Sequence, residues 1–180
     1  EDLPIVLPVF PLPGLVLFPR CQLPLHIFEA RYRAMIGSVL KSHRMIGIVQ
    51  PVESVGAHRP DLFTVGTVGQ VVSYRETGDG RYYVLVEGLC RFRVLEELPL
   101  ANEGFREVRP GYQNYAKDLQ DESIELTERA LLLDSLEKYC RVKQMGLGNT
   151  SLDELSDEDL LIVTCTGLPF SSGDKQALLE

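Results

Sequence analysis

Short apolar segments separated by turn residues dominate the first 110 residues of the chain. Residues 45–49 are nearly all apolar, which predicts a buried strand, and residues 62–74 are rich in the β-branched side chains that strands favour. The sequence Thr-Gly-Asp-Gly at 77–80 predicts a hairpin turn. Apolar and polar positions then alternate from Cys90, as in a half-buried strand, and residues 105–110 form a last candidate strand. The pattern therefore predicts six or seven strands in a small barrel or rolled sheet.

The opening segment interrupts its apolar runs with prolines at positions 4, 8, 11, 13 and 19. Proline has no N–H for a sheet ladder, so within sheets it is confined to edges, strand ends and bulges. We therefore expect this segment to form an edge strand and then to turn at Gly14, and not to run through the middle of a sheet.

One early helix is predicted between the first strands. Apolar side chains recur there at helical spacing and form one face: Phe28, Tyr32, Met35, Ile36, Val39 and Leu40. We place this helix from about Glu29 to about Leu40, with Gly37 weakening it.

The pattern becomes helical from Asp118 onward. Apolar residues recur at helical periods as far as Gln144, and Glu125 and Arg129 have the spacing of an i,i+4 ion pair. Glycines at 146 and 148 are expected to end this helix. Further helix starts are predicted where a serine precedes acidic residues, at Ser151, Ser156 and Ser171. No stop signal follows the last helix, so we expect the natural chain to continue beyond residue 180.

Charge and proline content divide the chain at the same place. The formal net charge is −8, yet the first 110 residues carry 12 acidic and 12 basic side chains, against 14 and 6 in the remainder. Ten of the eleven prolines also lie in the first part, where they disfavour long helices. We therefore predict an α+β protein with a β-rich domain at 1–110 and an acidic, small α-helical domain at 111–180.

Composition excludes several classes of protein. An acidic chain, with a pI of about 5.0, is not built to coat nucleic acid or an anionic membrane. No apolar run approaches the ~18 residues of a membrane span, and the given start has no secretory signal. Cysteines at 21, 90, 140 and 165 form no metal-binding or disulfide pattern, so we expect reduced thiols and a cytoplasmic protein.

No catalytic motif is present in the sequence. There is no phosphate-binding P-loop, no Gly-x-Ser-x-Gly elbow and no His-Glu-x-x-His, and the three histidines are too far apart to indicate a metal cluster. We therefore predict no catalytic, cofactor-binding or metal-binding residue. Two alternatives stay open: His26 and Glu29 have the spacing of an acid–base pair, and a basic cluster with Tyr32 nearby has the charge for phosphate contacts. That cluster consists of Arg20, Arg31, Arg33, Lys41 and Arg44.

Five ordered segments resemble the amino-terminal substrate-binding domain of the ATP-dependent Lon protease, a module also found as a free-standing bacterial protein. They are FPLPGLVLFP at 10–19, LPLHIFEARYRAMI at 23–36, IGIVQP at 46–51, DLFTVGTVGQVV at 61–72 and DGRYYVLVEGLCRFRV at 79–94. The closing LPFSSGDKQALLE resembles the helical end of the same family. The resemblance implies a PUA-like pseudo-barrel of about six strands with one early helix, followed by a small helical bundle.

The same resemblance implies a non-catalytic protein- or peptide-binding module. Full-length Lon continues with an ATPase domain and a protease domain, and we expect neither here, because the sequence has no Walker motif and no room for them. The expected ligands are unfolded or exposed apolar polypeptide segments, with a protease or chaperone as a further partner. The expected contacts are Leu12 and Leu15 on the proline-rich loop and Phe28 at the helix entrance. An RNA-binding PUA-like module and, last, a hydrolase that uses Glu29 are the alternatives.

Overall fold

The computed structural model describes residues 2–52, 59–120, 125–145 and 152–180. By its internal contacts the chain divides into two compact units. The first comprises Glu1–Gln120 together with Phe170–Glu180, and the second comprises Asp121–Pro169. The first unit contains the sheet, whereas the described part of the second contains only helices, turns and short connections.

Six strands form one mixed sheet in the described part of the first unit, in agreement with the α+β prediction. They are β1 (Leu7–Pro11), β2 (Gln22–Ile27), β3 (Met45–Val49), β4 (Val65–Glu76), β5 (Tyr82–Glu97) and β6 (Arg106–Gly111). Their order is β2-β5-β4-β3-β1-β6, and the 16-residue β5 also pairs with β6. Because β5 pairs with β6 as well as with β4, the sheet curls back on itself into a pseudo-barrel.

The proline-rich β1 lies inside the sheet, so the prediction of an edge strand is wrong. β1 pairs with β6 through residues 7–9 and with β3 through residues 9–11. Val9 alone is paired on both sides, so Pro8 and Pro11 each have a partner strand on one side only. A proline in such a position can direct its missing N–H to the unpaired side, where no ladder bond is lost.

The early helix, α1 (Ala30–Val39), lies where the helical spacing predicts it. Its buried residues are Tyr32, Met35, Ile36 and Val39. The ring of Tyr32 packs on Phe10, with the two centroids 4.2 Å apart. Phe28 precedes the helix and is 59% exposed, so it does not belong to the apolar face that the spacing assigned to it.

The core of the first unit is built from strand residues: Leu7, Val9, Met45, Val49, Val68, Cys90, Phe92 and Val108. The proline-rich loop that follows β1 also packs against the sheet, with Leu17 buried. Gly88 permits this approach, because a Cβ at that position would lie 2.3 Å from the carbonyl oxygen of Phe18. The loop is therefore part of the packed body of the first unit.

The last helix, α4 (Ser172–Leu179), belongs to the first unit as well. Gln50 is 1% exposed and donates from Nε2 to the Ser172 carbonyl at 3.0 Å and to Gln176 Oε1 at 3.1 Å. Gln176 in turn donates from Nε2 to the carbonyl of Val65 at 3.1 Å. These bonds, two of them buried, join α4 to β4 and to the end of β3.

Arg91 in β5 binds two separate segments of the first unit. Its Nε and Nη2 each donate to the Asp118 carboxylate at 2.8 Å, and its Nη1 donates to the Leu179 carbonyl at 3.2 Å. Asp118 lies in a short 3₁₀ helix, Gln113–Leu119. Packing thus groups residues 111–120 and 170–180 with the sheet, whereas proline and charge place the boundary at residue 110. As a domain boundary, residue 110 stays a prediction.

The second unit contains α2 (Arg129–Val142) and α3 (Asp157–Gly167). Arg129 forms an ion pair with Asp157, so the predicted pair with Glu125 is wrong. The physical reason is that α2 begins at Arg129, and Glu125 therefore lies outside the helix that an i,i+4 pair requires. The predicted glycine stop at 146 and 148 and the start at Ser151 lie outside the described residues.

Two of the predicted helix starts are confirmed. The hydroxyl of Ser156 accepts the backbone N–H of Asp159 at 3.1 Å and caps α3. At the start of α4, Ser171 and Asp174 form a reciprocal capping box. Both caps satisfy N–H groups that have no partner within the helix.

Candidate functional site

Strands β2, β5 and β4 lie side by side at the end of the sheet that carries the β4–β5 hairpin. His26 is opposite Tyr83, and Tyr83 is opposite Arg75, which makes a cross-strand row that we call the His26–Tyr83–Arg75 row. Opposed residues of neighbouring strands share a face, and positions two apart along a strand share it too. The next row on this face consists of Pro24, Leu85 and Ser73.

The side chains of the first row are stacked on one another. The His26 and Tyr83 rings are nearly parallel, with an interplanar angle of 10° and centroids 4.5 Å apart. The Arg75 guanidinium lies over the Tyr83 ring, 5.3 Å from its centroid, and the Phe28 ring lies 5.7 Å from that of His26. Tyr83 is 45% exposed and Phe28 is 59% exposed, so this aromatic and cationic surface faces solvent.

A cleft of about 510 Å³ lies against this surface. Its lining includes both rows, with His26, Tyr83 and Arg75 beside the shorter side chains of Pro24, Leu85 and Ser73. The register of β4 against β5 shifts between Val71 and Ser73, and a bulge of this kind bends a strand. We call this feature the β2–β5–β4 cleft.

The open edge of β2 next to the cleft is protected against strand pairing. β2 ends the sheet order, and in the described residues it pairs with β5 alone. Pro24 lies in the middle of β2 and has no N–H to offer to a strand added at that edge. Edge prolines are a common protection against such pairing.

The hairpin that joins β4 to β5 is fixed by its own polar groups. The Thr77 hydroxyl donates to the Asp79 carboxylate, which also pairs with Arg81 at 2.9 Å. The hydrogen bond from Thr77, followed by those from the backbone and the charge of Arg81, lowers the pKa of Asp79. The Arg33 guanidinium of α1 donates to the Asp79 carbonyl at 3.3 Å, so the hairpin is joined to α1 as well.

A match to a known protein family identifies the kind of domain that contains this cleft. The family described as "ATP-dependent protease La (LON) substrate-binding domain" matches residues 6–180. The chain belongs to this family.

Relatives in the family are whole proteases that are much longer than this chain. The Lon protease of Anaeromyxobacter dehalogenans is 40% identical over 98 residues, which is 53% of this chain and 12% of that protein. The Lon protease of Escherichia coli is 28% identical over 186 residues, which is 98% of this chain and 23% of that protein. The aligned part of the chain therefore covers about an eighth to a quarter of the length of these relatives.

Two solved structures support the fold. The Lon N-terminal domain protein from Xanthomonas campestris superposes with a TM-score of 0.66 at 22% identity, covering 97% of this chain and 89% of that one. The N-terminal domain of the Mycobacterium avium complex Lon protease gives a TM-score of 0.60 at 14% identity, with coverage of 97% and 90%. At these identities the likeness establishes the architecture and nothing finer.

The three predicted contact residues of this Lon-family chain lie on two segments. Phe28 is exposed beside His26, next to the β2–β5–β4 cleft. Leu12 and Leu15 are partly buried on the proline-rich loop, where the backbone N–H of Leu12 donates to the Val49 carbonyl at 3.0 Å. Neither leucine lines the cleft. A role in ligand binding stays a prediction for all three.

The alternative sites of the sequence are engaged in other contacts. His26 stacks on Tyr83, whereas Glu29 forms an ion pair with Arg31 at 2.9 Å, so the residues of the suggested acid–base pair have different partners. The basic cluster is also partly engaged, because Arg31 binds Glu29 and the Arg33 guanidinium donates to a backbone carbonyl. A third member, Arg20, donates to the carbonyl of Gln120 at 2.6 Å.

Sequence reasoning singled out neither Tyr83 nor Arg75, the two cleft residues that stack beside His26. Both lie in segments that the sequence predicts as strands, but their importance depends on which residue of β5 faces which residue of β2 and β4. The exposed sequence Tyr-Arg at 74–75 and the aromatic pair at 82–83 were the available signals. Alternation within each strand would have placed them on a face, although it could not have supplied the register.

In the part of the chain that the structure describes, Cys21, Cys90, Cys140 and Cys165 form no disulfide. Burial, followed by the nearby Asp118 carboxylate, raises the pKa of Cys90 to about 12, which makes this thiol unreactive. Within the described ranges, no group of three or more His, Cys, Asp or Glu side chains is arranged to hold a metal ion. In the same ranges, no helix has the length and apolar character needed to cross a membrane.

Proposed function

We propose that this chain is a non-catalytic polypeptide-binding module that binds exposed apolar segments of other proteins at the β2–β5–β4 cleft. The observation that carries the proposal is a cleft of about 510 Å³ on three paired strands, bordered by the stacked, solvent-facing rings of His26 and Tyr83. Exposed aromatic rings on rigid elements bind apolar side chains without a large ordering cost. Membership of a family of substrate-binding domains supports the same activity.

Phe28 extends this surface and is the strongest of the predicted contacts. Its ring is 59% exposed and lies 5.7 Å from His26, so the aromatic surface is continuous from Phe28 to Tyr83. Leu12 and Leu15 are weaker candidates, because their loop packs against the sheet and against α4. The Lys175 ammonium, for example, donates to the carbonyl of Gly14 at 3.2 Å in that loop.

Binding to a labelled, unfolded model protein tests the proposal. Fluorescence anisotropy should show saturable binding at micromolar concentrations. The variants Tyr83→Ala and Phe28→Ala should each weaken it about five- to tenfold, the usual cost of truncating an aromatic anchor at an interface. Leu131→Ala is the matched control, because Leu131 is 58% exposed but lies in α2 of the second unit. Absence of saturable binding at high micromolar concentration would overturn the proposal.

RNA binding is less well supported, because the cations of the basic cluster are partly engaged by Glu29 and by backbone carbonyls. The same assay distinguishes the two functions. Binding to single-stranded RNA would fall steeply with salt concentration and would be abolished by charge reversal at Arg31 and Arg33. Binding to apolar polypeptide should depend weakly on salt and survive those substitutions.

A further inference from the structure

Arg75 is an exposed cation whose charge has no carboxylate partner among the residues that the structure describes. Its recorded contact is the π-face of Tyr83, at 5.3 Å. Three other exposed arginines differ in this respect: Arg31 pairs with Glu29, Arg81 with Asp79 and Arg109 with Glu96. A guanidinium that lies in a cleft without a counter-ion favours an anionic group on whatever occupies the cleft.

The cleft has an apolar end and a cationic end. Its floor runs across the strands, from Pro24 on β2 past Leu85 on β5 to Ser73 on β4. Neighbouring strands are about 4.8 Å apart, so this floor is roughly 10 Å long and matches about three residues of extended chain. Pro24 and Leu85 form the apolar end beside His26, and Arg75 stands at the β4 end.

We propose that the cleft selects an extended polypeptide segment in which an aromatic or branched apolar residue lies within two positions of an aspartate or glutamate. The apolar side chain packs on Pro24 and Leu85 beside the His26–Tyr83 stack. The carboxylate pairs with the Arg75 guanidinium. This inference rests on the proposed function and adds a charge requirement to it.

The bound segment lies across the face of the strands and does not extend the sheet at β2. Pro24 removes an N–H from the open edge of β2, which weakens pairing there. Arg75 is on β4, two strands in from that edge. A strand added outside β2 would lie about 15 Å from β4, too far for an Asp or Glu side chain to reach Arg75.

Three peptides with blocked ends test the proposal, identical except for Phe-Glu, Phe-Gln or Phe-Lys at their centre. The full chain should bind the glutamate peptide about two- to fivefold more tightly than the glutamine peptide, since exposed ion pairs contribute about that much. It should bind the lysine peptide most weakly. Arg75→Gln should abolish the difference between glutamate and glutamine, and Arg75→Glu should reverse the order of glutamate and lysine.

Arg109→Gln is the matched control, because Arg109 is an exposed strand arginine that already pairs with Glu96 at 3.3 Å. This variant should keep the preference of the unmodified chain. Equal binding of all three peptides by the unmodified chain, or a preference that survives Arg75→Gln, would overturn the charge requirement and leave the proposed function standing. If none of the peptides binds saturably, the proposed function and this inference both fail.

Discussion

Replacing Asp118 with alanine should destabilise the first unit by about 2–3 kcal/mol. The carboxylate of Asp118 accepts two side-chain bonds from Arg91 at 2.8 Å each and the Arg91 backbone N–H at 2.9 Å. Bonds to charged groups contribute about 1.5–3 kcal/mol each, but bonds that share one carboxylate do not add. The Asp118 side chain is 9% exposed and that of Arg91 is 30% exposed. The expected loss therefore lies between about 0–1 kcal/mol for a surface pair and about 3–5 kcal/mol for a buried one.

Urea unfolding followed by far-UV circular dichroism measures this loss. Glu96→Ala is the matched control, because it removes the Arg109–Glu96 pair, in which both side chains are more than half exposed. The control should change the free energy of unfolding by less than about 1 kcal/mol. If Asp118→Ala costs no more than the control, Arg91 does not anchor residues 111–120 as described above.

The pH dependence of the same variant gives an independent check. Burial alone would raise the pKa of Asp118, but the hydrogen bonds and charge of Arg91 outweigh it and lower the pKa. A lowered carboxyl pKa contributes stability that is complete above the ordinary value of 3.8 and is lost as the pH falls through the lower folded value. The difference between the parent chain and Asp118→Ala should therefore shrink in strong acid. A constant difference there would contradict the assignment.

Three further predictions concern stability and use the same urea assay. Burial lowers the pKa of His43, so the contribution of its neutral ring to the free energy of unfolding should be complete above the ordinary value of 6.5 and should be lost as the pH falls below it. His43→Asn, which keeps a hydrogen-bond acceptor, should flatten that decline. An unchanged decline would refute this role of His43. Gly88→Ala should lower the free energy of unfolding by about 1–3 kcal/mol, because its Cβ would meet the Phe18 carbonyl. Gly37→Ala in α1 is the control, because its Cβ would meet nothing within 4 Å, and it should raise the free energy of unfolding by about 0.5–1 kcal/mol. Equal effects of the two variants would contradict the close packing at Gly88. Ser171→Ala should cost about 0.5–2 kcal/mol through loss of the capping box of α4, and a neutral result would show that the cap is dispensable.

Local patterns of sequence were sufficient for most of the elements. The apolar face of α1, the continuous apolar run of β3 and the serine caps of α3 and α4 each depend on a few neighbouring residues. Such features are decided by backbone propensity and by short-range hydrogen bonds, which a single sequence displays.

Features that depend on distant contacts were not predictable in the same way. β1 can lie between two strands because the residues that pair with β3 and those that pair with β6 overlap only at Val9, so its prolines are paired on one side only. No property of the proline-rich segment itself reveals this pairing. Arg129 pairs with Asp157, 28 residues away, and not with its neighbour Glu125. For the same reason the cleft could not be predicted from the sequence, because Tyr83 and Arg75 are brought next to His26 by the register of three strands. The role of the neighbouring Phe28 as a contact stays a prediction.

Amide chemical-shift mapping tests the central claim most directly, namely that the β2–β5–β4 cleft binds polypeptide. The isotope-labelled chain would be titrated with an unlabelled, unfolded model protein and the shift of each backbone amide followed. We expect the saturable shifts to cluster at residues 24–28, 73–76 and 82–85, and Tyr83→Ala to remove them. Saturable shifts confined to other surfaces, such as α2, or no saturable shift at all, would contradict the account.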